Sequence, residues 1–127
     1  MNSILFSGGA TRHVASWKWY SEITAGKYNA VIFDCDGTLV ESGEAHFKSF
    51  RTAVRAQGYD LERDWYYQRN GFDRLSLLSA FSGEISGPLD IFLAAQQSIE
   101  AFISETTAIS PIAETGKLVR TLAGTYP

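Results

Sequence analysis

The sequence predicts an α/β chain that is mostly helical and holds one clear core strand. Three observations predict it. The apolar run Ala30-Val31-Ile32-Phe33 stops abruptly at Asp-Cys-Asp-Gly-Thr, as a strand buried on both faces does at its carboxyl end. From Gly43 onward, apolar residues recur at spacings of three and four. Helix-starting and helix-stopping residues then punctuate the rest of the chain. The length of 127 residues suits one domain, and a hydrophobic fraction of 45% is that of a globular protein. The net charge is −3 and the 11 basic residues are scattered, so the stripe that nucleic-acid binding needs is missing. No apolar run approaches a membrane span. Met1 to Ala10 lacks the basic start and long apolar stretch of a secretory signal. A single cysteine makes no internal disulfide, and a cytoplasmic setting is expected.

Taken in order, residues 1–28 read as an N-terminal extension. Ser7-Gly8-Gly9 reads as loop, and Val14 to Ile23 as one or two helical turns carrying the packing aromatics Trp17, Trp19 and Tyr20. Residues 29–43 hold the strand and the acidic loop. Ala45 to Gln57 predicts a helix with Phe47, Phe50 and Val54 on one face, stopped by Gly58. Asp60 is expected to cap a second helix through Arg69, and Asp73 a third with Leu75, Leu78 and Phe81 inward. Pro88 and Asp90 open a longer helix with the stripe Ile91, Phe92, Ala95, Ile99, Phe102 and Ile103. Pro111 starts a last helix with Ile112, Val119 and Leu122 inward, closed by Gly124. The run 30–33 is the only convincing strand. On its own it has no ladder partner, and unpaired buried backbone is costly.

The chemistry concentrates at Asp34 and Asp36. Side chains two apart in an extended segment point the same way, so both carboxylates can converge on one site. Ligands in open α/β sheets bind just beyond the carboxyl ends of strands, where Asp34 sits. Gly37 permits a sharp turn and close approach to an anion. Thr38 offers a hydroxyl and a backbone N–H to phosphate oxygens. Two clustered carboxylates call for a cation between them, and Mg²⁺, which prefers oxygen ligands beside phosphate, answers best. A bare acidic turn is the plain alternative, since Asp and Gly are common in turns. A calcium-binding helix–loop–helix starting at Asp34 would need Gly at its sixth position and Glu at its twelfth, which hold Leu39 and Ala45.

The longer string decides between them. Val31 to Ser42 reads V-I-F-D-C-D-G-T-L-V-E-S, an apolar strand, D-x-D-G-T, apolar residues, then an acid and Ser, without gaps. It resembles the first signature motif of the haloacid dehalogenase superfamily. The resemblance implies a Rossmann-like core and a Mg²⁺-dependent phosphatase of small phosphorylated metabolites, such as sugar phosphates or phosphoglycolate. It makes Asp34 the nucleophile that forms an aspartyl-phosphate, and Asp36 the acid and then the base. Asp34 and Asp36, the latter through its carbonyl, would hold the metal. Gly37 and Thr38 would bind phosphate, helped by the loop N–H groups. A helical cap follows this motif in the branch that includes β-phosphoglucomutase and phosphoglycolate phosphatase, and residues 44–108 are expected to form it. Within it, Gly71-Phe72-Asp73-Arg74 resembles a G-x-x-R stretch of that branch, which makes Arg74 a phosphate contact. His46, at the start of the first cap helix, is a further substrate-contact candidate. As residues that need no such role, Arg74 reads as an exposed first-turn group and His46 as a surface or hinge histidine.

The resemblance covers only the N-terminal part of the family. The Ser/Thr-ended second strand, the phosphate-neutralising Lys and the second acidic pair are not found in 109–127, which reads as a helix returning to the core. The core is therefore expected to be truncated, and the isolated chain to be marginally stable and catalytically poor. A phosphomutase of the same family is the enzymatic rival. A non-catalytic remnant, acting at most as an interaction module, is the rival of another class.

Overall fold

A computed structural model describes all residues, Met1–Pro127. The chain is mixed α/β, about 50% helical, with two small antiparallel sheets. No helix is long and apolar enough to cross a membrane. Two compact units emerge: residues 1–41 with 111–127, and residues 42–110. The second lies within two residues, at each end, of the span 44–108 expected for a helical insertion.

The first unit opens with a β-hairpin where the sequence reading placed extension and loop. Strand β1 (Asn2–Ser7) pairs antiparallel with β2 (Ala10–Ala15), in the register Asn2 with Ala15 through Ser7 with Ala10. Gly8 and Gly9 both take positive φ, +56° and +80°, the left-handed pair that a two-residue hairpin turn requires. Helix α1 (Trp19–Ala25) follows and packs against α6 (Ala113–Leu122). The buried residues of this unit are Val14, Thr115, Leu118 and Leu122. Arg12 of the hairpin is ion-paired with Glu22 of α1 through both guanidinium nitrogens.

The expected core strand is the main correction here. Val31 to Phe33 belongs to no sheet. Val31 and Phe33 line one apolar cavity while Ile32 between them is 95% exposed, the period of two of an extended chain. The local preference for extension is present, but a ladder partner is not, and a strand is defined by its partner. The sheets that do form are β1–β2 and a minimal pair of two-residue strands, β3 (Val40–Glu41) and β4 (Ser110–Pro111).

The second unit is all helix: α2 (Gly43–Arg55), α3 (Arg63–Tyr67), α4 (Arg74–Ser82) and α5 (Ile91–Ser104). Phe47, Phe50 and Val54 of α2 join Leu61, Tyr66, Leu77, Leu78, Phe81, Leu89 and Ala94 in one apolar core. Asp73 and Asp90 cap α4 and α5 through their carboxylates, accepting from the N–H of Ser76 and Leu93 at 3.0 and 2.9 Å.

Three expectations fail in this unit. Asp60 caps nothing. Its carboxylate is gripped by the guanidinium groups of Arg51 and Arg55, and the helix after it is only Arg63–Tyr67. Those two guanidiniums hold the Asp60 carboxyl far below the ordinary carboxylate range. On α4, Leu77 is buried and Leu75 is exposed. On α5, Phe92, Ile99 and Ile103 are exposed, and Ala94 and Ser98 are the buried residues. The cause is close helix packing. Ala45, Ser49 and Ala53 form a small-residue row at spacings of four on α2, all fully buried, and α5 meets α2 along its most extensive contact. Small side chains let the backbones approach, so the bulky ones turn aside. Ser49 and Ser98, both buried on this seam, donate to their own helices, Ser49 to His46 O and Ser98 to Ala95 O, both at 2.7 Å.

Candidate active site

The acidic loop is a tight turn closed on one carbonyl. Cys35 O accepts from the N–H groups of Thr38, Leu39 and Val40 at 3.2, 2.8 and 3.1 Å, while Gly37 N–H donates to Val40 O at 2.8 Å. Gly37 has φ +72° and open space where a Cβ would stand. The backbone conformation, and not crowding, is what calls for glycine there. The turn leaves the Asp34 and Asp36 side chains exposed to solvent.

Helix α6 holds this loop from the side. Thr115 Oγ donates to Thr38 O at 2.6 Å, and Ile112 N–H donates to Leu39 O at 2.9 Å. Thr115 is a site-supporting residue that the sequence reading missed. A threonine on a helix carries no signal of its partner 77 positions away.

One expected contribution changes. The Thr38 N–H, offered to phosphate in the sequence reading, already donates to Cys35 O. The amides of Leu39 and Val40 are spent in the same way, because the turn satisfies its own backbone. What the loop still presents is the Thr38 hydroxyl, which makes no hydrogen bond within the protein, and the N–H of Cys35, which has no backbone acceptor.

His46 and Arg74 lie in the helical unit, near one another. His46 stacks on Phe102 with ring centroids 4.3 Å apart. Arg74 donates to Ser98 Oγ and lies 4.9 Å over the Phe50 ring. His46 and Phe50 are one turn apart on α2, as are Ser98 and Phe102 on α5, so both candidates sit along the α2–α5 seam. Arg74 is half-buried there rather than an exposed first-turn group, and burial pushes its guanidinium below the ordinary arginine range. The structure thus groups the candidates in two sets: Asp34, Asp36, Gly37 and Thr38 in one loop, His46 and Arg74 on one helical seam.

For a metal, the loop supplies hard oxygen donors, the Asp34 carboxylate and the Asp36 carbonyl. No group of three or more His, Cys, Asp or Glu side chains gathers in the chain. That donor set fits Mg²⁺, which keeps several waters and takes one or two carboxylates beside a phosphate. It does not fit a metal that needs a closed cage of side chains. Compared with family models, curated proteins and solved structures, the chain matches none of them.

Proposed function

We propose that this chain carries the phosphoryl-transfer loop of a Mg²⁺-dependent phosphohydrolase acting on small phosphorylated metabolites. The observation that supports it is the uninterrupted string from Val31 to Ser42, folded so that Gly37 makes the turn and both carboxylates face solvent. In this reading the loop belongs to a Rossmann-like haloacid dehalogenase core and residues 42–110 are its cap.

An Asp34 oxygen attacks phosphorus, and the bond from phosphorus to the ester oxygen breaks as Asp36 gives that oxygen its proton. Asp36 then takes a proton from water, whose oxygen attacks the aspartyl-phosphate and frees Asp34. The Cys35 N–H and the Thr38 hydroxyl donate to the phosphoryl oxygens. The Asp34 carboxylate and the Asp36 carbonyl are the groups that would hold Mg²⁺, which when bound would supply charge neutralisation of the phosphate. Thr115 acts through Thr38 as a positioning residue.

Beryllium trifluoride, a mimic of the phosphoryl group on aspartate, tests this without requiring turnover. The expected outcome is a bound ¹⁹F resonance that needs Mg²⁺ and disappears in Asp34→Asn. No bound signal, or one that survives Asp34→Asn, would overturn the reading.

A further inference from the structure

Trp17, Trp19 and Tyr20 read in the sequence as packing aromatics, but only Trp19 is turned inward. It is half-buried, and its indole N–H donates to Ser3 Oγ. Trp17, on the 3₁₀ turn Ser16–Lys18, is 78% exposed, and Tyr20, on α1, is 41% exposed. Both line one cavity of about 380 Å³, whose other wall is α6. Leu118, a buried residue of α6, supplies apolar surface there. Glu114, Lys117 and Thr121 stand beside it at spacings of three and four, which is one face of the helix. The Thr121 hydroxyl is used within α6, donating to Lys117 O. Lys18 Nζ lies 4.8 Å over the Trp17 ring and steadies it.

Exposed Trp and Tyr leave a large apolar area in water, and a ligand seated against them removes it. A concavity with an aromatic wall and a few converging polar groups is the usual form of a small-molecule site. At about 380 Å³ this one lies toward the small end of such sites, with room for one ring and short substituents. The charges on its rim select further. Glu114 and Lys117 are one turn apart and of opposite sign, so a ligand with a single charge meets one attraction and one repulsion. A ligand with both charges a few ångströms apart meets two attractions. We propose that this cavity binds a small aromatic zwitterion of the α-amino-acid class. Its ring lies against Trp17, Tyr20 and Leu118, its ammonium meets Glu114, and its carboxylate meets Lys117. The site is built wholly within residues 1–41 and 111–127 and is independent of the Asp34 chemistry.

Titration of the full ¹⁵N-labelled chain with L-phenylalanine tests the proposal. Saturable shifts are expected at the Trp17 indole N–H and at the amides of Lys117 and Leu118. 3-Phenylpropionate lacks the ammonium and phenethylamine lacks the carboxylate. Each should bind about two- to fivefold more weakly, the range for loss of one exposed charge contact. Glu114→Gln and Lys117→Gln, both at exposed positions, should weaken L-phenylalanine by the same factor. L-Alanine, which has no ring, should leave these signals in place, and Trp17→Ala should remove binding with unchanged far-ultraviolet circular dichroism. No saturable shift with L-phenylalanine, equal binding of either singly charged analogue, or an affinity indifferent to either charge substitution would overturn the proposal.

Discussion

Replacing Thr115 by valine tests how the acidic loop is held. Thr115 is 7% exposed on the first turn of α6. Its single hydroxyl proton faces two carbonyls, Thr38 O at 2.6 Å and Ile112 O at 3.1 Å, and the shorter contact takes the larger share. Valine keeps the shape and removes the donor. A hydrogen bond of this kind is worth about 0.5–1.5 kcal/mol net, and a carbonyl left without a partner adds a cost of about 1–3 kcal/mol when water cannot reach it. Thr38 is only half-buried, so water recovers part of that cost. The backbone bond from Ile112 N–H to Leu39 O stays in place. The expected loss is therefore about 1–2 kcal/mol, which corresponds to opening the loop roughly 5–30 times more often. Native-state hydrogen exchange at Gly37, Thr38, Leu39 and Val40 reads that change directly, because all four amides are protected by bonds inside the turn. Thr115→Ser keeps the hydroxyl and should leave these four rates near those of the parent. Unchanged exchange in Thr115→Val would refute the claim that α6 anchors the loop.

Two further outcomes follow in the helical unit. Asp73→Ala and Asp90→Ala each remove a side-chain cap, and each should cost about 1 kcal/mol of stability in denaturant titrations; equal midpoints for parent and variants would contradict the capping geometry. The second outcome concerns pH. Asp60 has its folded pKa depressed by Arg51 and Arg55, so its contribution is present above the ordinary carboxylate range and is lost as pH falls below it. Thermal melts from neutral to acid pH should therefore fall less steeply in Asp60→Asn than in the parent, and the difference should shrink in salt because the group is exposed.

The loop and the starts of α4 and α5 are legible because their causes are local. Gly37 makes its turn through its own φ, and Asp73 and Asp90 reach amides three residues ahead. The β1–β2 hairpin carries a signal of its own, Gly8-Gly9 between two runs of six, but a glycine pair is equally the mark of an unstructured loop. Asp60 is not legible in this way, because a capping carboxylate and an ion-paired one look alike in sequence. What distinguishes them is Arg51 and Arg55 arriving from the preceding helix.

The sequence by itself determined where α4 and α5 begin, that the acidic loop turns at Gly37, and that Val31 to Phe33 prefers extension. Each of these depends on a residue's own dihedral freedom or on neighbours within a few positions. Only the tertiary structure decided that small residues would face inward on α5, that Thr115 would reach the Thr38 carbonyl, and that the extended segment would find no partner in its own chain. These outcomes depend on which surfaces meet, and local propensity carries no record of a contact made across dozens of residues.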